Sequence, residues 1–164
     1  GVHVNGKVTD TACTVEAGTE KYKKLIESSE TALKKAIEIV KPGVKIREIG
    51  KVIQDTITGY GFSPVKNLSG HSVGDYEVHA GLTIPNYDNN DNTKLKKGQI
   101  VAIEPFATTG SGYVEDGKDS GIYKVINVKS VRNDITNEVL KYIINELISI
   151  FGIIYFLSVM TSVI

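Results

Sequence analysis

Two consecutive stretches of the chain carry apolar residues at helical spacing, with charged residues on the opposite face, and predict two amphipathic helices. The first begins at Thr19, a residue that can cap a helix, and ends at Lys41-Pro42-Gly43. The second ends at Gly59 and Gly61. The predicted core-facing positions are Tyr22, Leu25, Ile26, Ala32, Leu33, Ala36, Ile37 and Val40 in the first helix and Ile46, Ile49, Ile53 and Ile57 in the second.

Stretches rich in β-branched residues lie before and after these helices and predict strands. Residues Gly1–Val15 are expected to form a β-hairpin, because Asn5-Gly6 best supplies the two positive φ angles of a type I′ turn. Later strands are expected at Phe62–Leu68, around His71–Thr83 and, as a buried strand, at Gln99–Ala107. Strands, then helices, then strands favour an α+β domain with an antiparallel sheet and helices on one face.

Length, charge and cysteine content narrow the class of protein. With 164 residues the chain is long enough for one domain with a sizeable core. Its 19 basic and 19 acidic residues cancel, so no field of one sign predisposes it to bind nucleic acid or an anionic membrane. The single cysteine, Cys13, excludes an internal disulfide and fits a reducing compartment. We therefore expect a cytoplasmic protein without a nucleic-acid partner.

The last part of the chain has an unusual composition. Asn133 or Asp134 can cap a further amphipathic helix that extends to Ile144. From Leu147 to Ile164 there is no charged residue, whereas 23% of the whole chain is charged. About 18 apolar-leaning residues are the minimum for a membrane span. Polar residues within this segment and the lack of a basic flank favour instead an altered reading of a longer gene, such as a shifted frame.

The predicted hairpin sets Asp10 on an apolar face. With Asn5-Gly6 as a two-residue turn, Asp10 lies opposite Gly1 and shares its face with Val8 and Ala12. Burying a carboxylate without compensation is costly, so Asp10 needs a cation, a metal ion or several hydrogen-bond donors. A residue two positions before Gly1 would lie diagonal to Asp10, within reach of a shared metal.

Glu104 and two histidines are further candidates. Glu104 ends a predicted buried strand whose inner face comprises Ile100, Ala102 and Phe106. His71 is surrounded in sequence by small residues, and His79 follows eight positions later. Two carboxylates and an imidazole suit Mn, Fe, Co or Zn, whereas carboxylates alone favour Mg or Ca. Spacing alone leaves hydrogen-bonded structural roles for these groups as the alternative interpretation.

Three other features are interpreted as structural. The segment Gly110-Ser111-Gly112 lacks the Gly-Lys-Ser/Thr of a phosphate-binding loop and is predicted to be a turn. The loop with Asp88 and Asp91 lacks calcium-loop spacing and is expected to be solvated. His3 is expected to be a packed or edge residue of its strand.

The candidate residues lie in three segments, GVHVNGKVTDTACTV, NLSGHSVGDYEVHAGLTIPNY and KLKKGQIVAIEPFATTGSGYV. In this order they resemble successive motifs of the type 2 methionine aminopeptidases, of the pita-bread metallopeptidase superfamily, and the resemblance covers residues 1–145. It implies an incomplete α+β pita-bread (creatinase/aminopeptidase) fold whose centre holds two divalent metal ions, Co, Mn, Fe or Zn. It also implies removal of the N-terminal methionine from nascent proteins in which a small residue follows.

The resemblance also implies roles for the candidate residues. Asp10 in KVTDTA resembles the aspartate that bridges both metal ions, and His71 in SGHSVG and Glu104 in AIEPF resemble ligands of one of them. His79 in EVHAG resembles the histidine that hydrogen-bonds the substrate carbonyl and the tetrahedral intermediate, a catalytic and substrate-binding role. The expected partners are nascent polypeptide N-termini, and the protein is expected to be a monomer.

The chain departs from this family pattern at both ends. The resemblance implies a further aspartate two positions before Gly1, a histidine further upstream and a late bridging glutamate, yet no Asp or Glu follows Glu146. We interpret residues 1–125 as a partial catalytic domain, 126–146 as the start of the type 2 helical insertion and 147–164 as an atypical uncharged tail. With three of five expected metal ligands, the chain is expected to bind metal weakly and to have little or no activity.

Two other functions stay open. A non-catalytic pita-bread binding module, as in the proliferation-associated relatives of the family, would have lost metal ligands, and the presence of Asp10, His71 and Glu104 counts against it. A proline-directed peptidase of the same superfamily is less favoured. The spacing of eight between His71 and His79, together with AGLTIPNY, fits the type 2 pattern better.

Overall fold

The computed structural model describes residues 1–118, 129, 132–142 and 145, and it contains both helices and antiparallel strands, as the α+β prediction requires. The chain divides into two units, Gly1–Glu115 and Asp116–Ile164. The described elements are, in order, β1 (Val2–Val4), β2 (Lys7–Thr9), α1 (Lys23–Ile39), α2 (Ile46–Gly59), β3 (Ser63–Pro64), β4 (Ser69–Val73), β5 (Thr83–Pro85), β6 (Ile100–Ala102), β7 (Ala107–Thr108) and α3 (Asp134–Tyr142).

The core of the first unit is built on α2. All four isoleucines predicted for its inner face are fully buried, and the helix ends at Gly59 as predicted. Burying each such side chain contributes roughly 1.5–3 kcal/mol to folding. Ala32 and Ala36 of α1, both 0% exposed, are small enough for the two helices to pack closely. The remaining buried members of this cluster are Val44, Ile84 and Leu95.

Helix α1 begins later than its sequence pattern predicts. The N-cap is Tyr22, not Thr19, because the Glu16 carboxylate accepts the Tyr22 N–H at 3.0 Å and also the Thr19 hydroxyl. The hydrogen bond from Thr19 lowers the pKa of Glu16. The helix ends before Pro42-Gly43 as predicted, but Ile37 is 57% exposed and does not belong to the buried face.

The amino-terminal hairpin has the predicted turn. Strands β1 and β2 pair antiparallel with Val2 opposite Thr9, and Asn5 and Gly6 have φ angles of 49° and 84°. Continuing this register by one residue sets Asp10 opposite Gly1. However, β2 ends at Thr9 rather than near Val15, and Ala12 is exposed. Of the two residues predicted to share an apolar face with Asp10, Val8 is buried, at 8% exposed, and Ala12 is not.

A three-stranded antiparallel sheet, in the order β5-β4-β6, forms the centre of the unit. The predicted long strand Gln99–Ala107 is wrong in extent, because it divides into β6 and β7, and β7 pairs with β3 in another sheet. Pro105 lies at the break, where it cannot donate a backbone hydrogen bond to a ladder. The predicted strand Phe62–Leu68 is likewise reduced to β3.

The polar loop at residues 86–93 is bound to α2 and is not simply solvated. Asn86 is fully buried, and its Nδ2 donates to the carbonyls of Val65 at 3.2 Å and Leu68 at 3.1 Å. Arg47 of α2 forms an ion pair with Asp88, with Nη2 and Oδ2 2.8 Å apart. The loop therefore connects the helix layer to the turn that precedes β4.

In the second unit, α3 begins as predicted. The Asn133 Oδ1 accepts the Thr136 N–H at 3.0 Å, which caps the helix. Ile143, Ile144 and the uncharged segment 147–164 lie outside the described residues, as do parts of the predicted insertion 126–146. Within the described part of the chain, no helix is both long enough and apolar enough to cross a membrane.

Gly50 is predicted to be required for packing of α2. A Cβ at this position would overlap the carbonyl oxygen of Tyr87. Gly50→Ala is expected to lower the free energy of unfolding by about 1–3 kcal/mol, measured by urea denaturation. In the control Gly59→Ala a Cβ meets no atom of the described residues within 4 Å, and stability should stay equal or rise by about 0.4–1 kcal/mol. Equal stability of the two variants would contradict the observed packing.

The ion pair of Asp88 is predicted to make stability pH-dependent. The hydrogen bond from Arg47 lowers the pKa of Asp88. The stabilisation that the ionised Asp88 gives to the folded state is therefore present above the unfolded-state pKa. It is lost as the pH falls through the lowered folded-state pKa. Asp88→Asn should therefore lower the urea midpoint at neutral pH, and the difference from the unchanged chain should shrink as the pH falls through the lowered pKa of Asp88. Asp116→Asn, at an exposed position, is the control. A pH-independent difference would refute this account.

Candidate metal centre

His71 occupies the middle of the central strand. On β4 it lies opposite Thr83 of β5 and Ala102 of β6. Gly70, the residue before it, lets β6 approach closely, because a Cβ there would overlap the Ala102 carbonyl oxygen and lie 3.1 Å from the Glu104 nitrogen. The end of β6 therefore brings Glu104 beside His71.

The three predicted ligands lie together. The His71 Nε2 is 3.1 Å from Oε1 of Glu104 and 3.5 Å from Oδ2 of Asp10. One ligand atom from each of the three residues lies within 4.8 Å of the other two. The His71 side chain is 8% exposed, and those of Asp10 and Glu104 are 28% and 30% exposed. The cluster thus joins residues that are far apart in the sequence at a partly open position.

The hydrogen-bonding pattern of His71 makes this cluster suitable for binding a cation. Its Nδ1 lies 3.2 Å from the Ser72 carbonyl oxygen, which can only accept a hydrogen bond. Nδ1 therefore carries the hydrogen, and Nε2 faces two carboxylates. A carbonyl partner on the other ring nitrogen is the usual arrangement of a metal-ligating histidine.

His79 lies next to the cluster without being part of it. Its ring centroid is 4.1 Å from that of His71, at an interplanar angle of 62°, and the residue is exposed. Both histidines line a pocket of about 300 Å³. The rest of the pocket wall comprises Asn67, Leu68, Ser69, Gly81, Leu82 and Thr83. An exposed imidazole beside a buried one leaves His79 available to a molecule in the pocket.

The surroundings of Glu104 differ from those that the strand pattern predicts. Glu104 follows β6 rather than ending a buried strand, and Ile100 of the predicted inner face is 52% exposed. His3 is a packed residue as expected, with its ring centroid 5.4 Å from that of Tyr76. Gly112 belongs to a turn, with a φ angle of 88° and its carbonyl accepting the Lys66 N–H at 2.8 Å.

Sequence reasoning missed Asn67 as a pocket residue. Its side-chain Nδ2 donates to the Val114 carbonyl at 2.7 Å, and its Oδ1 accepts the Val114 N–H at 3.0 Å. This side chain holds the pocket wall against a segment 47 residues away. No local periodicity or spacing could have paired these positions, because the contact is set by the tertiary fold.

Residues 1–141 match the profile of Peptidase_M24, metallopeptidase family M24. The chain belongs to this family. It is 45% identical over 147 residues to the methionine aminopeptidase of Thermococcus onnurineus, a match that covers 89% of this chain and 50% of the relative. It is also 45% identical over 132 residues to the methionine aminopeptidase of Methanocaldococcus jannaschii, covering 80% of this chain and 45% of that protein. The chain spans about half the length of these curated M24 relatives.

A solved M24 structure is also similar. The crystal structure of methionine aminopeptidase from Thermotoga maritima matches with a TM-score of 0.56 and 34% identity, covering 61% of this chain and 40% of that chain. This likeness and the family match confirm the predicted α+β pita-bread fold. Metallopeptidases need metal ligands, and the cluster of Asp10, His71 and Glu104 is a donor set that fits a divalent ion.

The cluster is predicted to make folding stability depend on divalent metal. A ligand that binds the folded state alone stabilises it by about 2.7 kcal/mol at 100 times its dissociation constant. Mn²⁺ should therefore raise the melting temperature of the chain, and Glu104→Gln should reduce this increment because one negative ligand is lost. Glu115→Gln, at an exposed position, is the control. An increment that is the same in all three proteins would exclude Glu104 as a ligand.

Proposed function

We propose that this chain carries part of the active site of a type 2 methionine aminopeptidase, which removes the N-terminal methionine from nascent polypeptides. The observation that carries the proposal is the buried His71, with its Nε2 3.1 Å and 3.5 Å from two carboxylates, next to the exposed His79. The relatives named methionine aminopeptidase, at 45% identity, support the choice of substrate.

Asp10, His71 and Glu104 are the residues that would hold divalent metal. We propose Co, Mn, Fe or Zn, because an imidazole among two carboxylates favours these ions over Mg or Ca. Two ions are proposed, and Asp10 would contribute to holding both. When bound, such ions polarise a carbonyl and lower the pKa of a bound water towards neutrality. The ring orientation of His71, fixed by the Ser72 carbonyl 3.2 Å from Nδ1, leaves Nε2 facing the two carboxylates, where it would help to hold a metal ion.

His79 is proposed to act on the substrate and not on the metal. Its ring lies against that of His71 but remains exposed to the pocket. From there it would donate a hydrogen bond to the carbonyl oxygen of the first substrate residue. This bond strengthens as negative charge develops on that oxygen, so it stabilises the transition state more than the bound substrate.

The pocket next to His79 is proposed to receive the methionine side chain. Its volume of about 300 Å³ and its apolar wall at Leu68 and Leu82 are compatible with an unbranched thioether. Asn67 and its pairing with Val114 would keep this wall in place. Nascent chains with a small second residue would be the partners.

We further propose that the protein acts in the cytoplasm, as a monomer and without binding nucleic acid or membrane. The support is its balanced charge of 19 basic and 19 acidic residues and its single cysteine. Polypeptides emerging from cytoplasmic ribosomes would then be directly available as substrates.

Loss of His79 is predicted to affect kcat, whereas loss of His71 is predicted to affect metal affinity. In a chimera, residues 1–141 of this chain would replace the matching part of the Thermococcus onnurineus relative. With Mn²⁺ it should release methionine from the peptide Met-Ala-Ser. His79→Asn should lower kcat by about 10²–10³-fold and leave Mn²⁺ affinity unchanged, because its role is to stabilise charge on the substrate. His71→Asn should lose Mn²⁺ affinity.

The controls of this experiment separate its outcomes. Glu115→Gln in the same chimera should affect neither methionine release nor Mn²⁺ affinity, since the residue is exposed. A folded chimera that binds Mn²⁺ but releases no methionine, when the unchanged relative does, would overturn the proposed activity. Equal loss of Mn²⁺ affinity in both histidine variants would refute the division of roles.

A further inference from the structure

The hairpin that carries Asp10 is attached to the region of His71 at its turn. Among the described strands, β1 and β2 form a sheet of their own, separate from β5-β4-β6. Lys7 makes an isolated antiparallel bridge with Asp75, just after β4, and the two side chains form an ion pair with Nζ and Oδ1 2.6 Å apart. We call Gly6, Lys7, Asp75 and Tyr76 the hairpin clasp.

Tyr76 has an unusual backbone conformation within the clasp. Its φ angle is 56°, in the left-handed region that bulky residues rarely adopt. It lies in a tight turn between Gly74 and Glu77, where the Gly74 N–H donates to the Glu77 carbonyl at 2.8 Å. The Tyr76 N–H donates to the Gly6 carbonyl at 2.8 Å. Such a conformation persists only where surrounding contacts hold it, so its contacts require an explanation.

The ring of Tyr76 packs on the turn of the hairpin. A Cβ on Gly6 would overlap its Cε2 and lie 2.6 Å from its Cδ2, so the ring occupies the space that only glycine leaves free. The ring also contacts His3 edge to face, with centroids 5.4 Å apart and planes at 60°. The His3 Nδ1 is buried and has no hydrogen-bond partner among the residues that the structure describes, so this histidine contacts the ring chiefly by packing. Tyr76 thus touches both β1 and the turn.

The packing of Tyr76 matters more than the ion pair in the clasp. The side chains of Lys7 and Asp75 are 66% and 64% exposed, and exposed ion pairs contribute little. Tyr76 is itself 49% exposed, but its ring is in direct contact with a buried glycine that has a φ angle of 84°. The hairpin is therefore held at its turn by this packing together with the hydrogen bond from the Tyr76 N–H to the Gly6 carbonyl.

We propose that Tyr76 is a positioning residue for the metal centre, which sets the distance of the Asp10 carboxylate from His71. Lys7 precedes Asp10 by three residues and Asp75 follows His71 by four, so the clasp joins both ligand-bearing segments over short lengths of chain. This inference rests on the proposed function, since it assigns Tyr76 a role in the affinity of that site for metal. The aromatic ring, and not the phenol hydroxyl, performs it.

The test measures metal affinity in the folded chain. Free Mn²⁺ is quantified from its EPR signal during titration of the unchanged chain, Tyr76→Phe and Tyr76→Gly. Glycine tolerates a φ angle of 56°, so Tyr76→Gly removes the ring without adding backbone strain. Loss of a group that orients a ligand lowers metal affinity by roughly 10–100-fold, which we expect for Tyr76→Gly, whereas Tyr76→Phe should stay within about twofold.

A second variant approaches the same contact from the hairpin. Gly6→Ala places a methyl group against the ring. Gly18→Ala is its matched control, because Gly18 has a φ angle of 78° and a Cβ there would meet nothing within 4 Å in the described part of the chain. Both substitutions introduce left-handed alanine strain, so any shared effect on stability cancels. Gly6→Ala should weaken Mn²⁺ binding by roughly tenfold, and Gly18→Ala should leave it unchanged.

A spectroscopic signature separates positioning from general destabilisation. The visible absorption of the Co²⁺-saturated chain reports the number and type of ligands, and it should differ in Tyr76→Gly if Asp10 is displaced. Urea midpoints measured without metal show whether each variant is folded. Equal Mn²⁺ affinity and equal Co²⁺ spectra in the unchanged chain and folded Tyr76→Gly would overturn this inference and leave the proposed function standing. No Mn²⁺ binding by the unchanged chain would overturn the proposed function itself.

Discussion

A buried imidazole that faces two carboxylates is the constraint on which this structure depends. His71 has one ring nitrogen committed to the Ser72 carbonyl, and the other lies 3.1 Å from Glu104 and 3.5 Å from Asp10. Two carboxylates and an imidazole nitrogen converge on one point and form a donor set that fits a divalent ion. The other elements of the first unit bring segments that are distant in sequence to this point and hold them there.

Glycine residues allow the close approaches that this arrangement needs. Gly70 allows β6 to approach β4 so that Glu104 reaches His71, and Gly50 allows α2 to lie against the backbone at Tyr87. Gly6 leaves the space that the ring of Tyr76 fills. Each is a place where two backbones or a backbone and a ring are in contact, and a methyl group would separate them. Stability of the core and geometry of the site therefore share the same packing.

Local patterns predicted the parts of this fold that local physics determines. The isoleucines of α2 and the Asn5-Gly6 turn were found because helical periodicity and positive φ angles are properties of short segments. The start of α1 was missed because a side chain six residues before Tyr22, that of Glu16, replaced the expected cap. The pairing of Asn67 with Val114 was missed because no short-range signal encodes it. The roles of the site residues came from motif resemblance, whereas their convergence required the tertiary structure.

Pro105 has a consequence for how Glu104 is held in place. It interrupts the chain between β6 and β7, which pair in different sheets, so Glu104 lies at the seam between them and outside either ladder. Backbone at a seam has fewer cooperative partners than backbone within a ladder. The Glu104 carboxylate is therefore positioned by two separately hydrogen-bonded sheets and not by a single ladder.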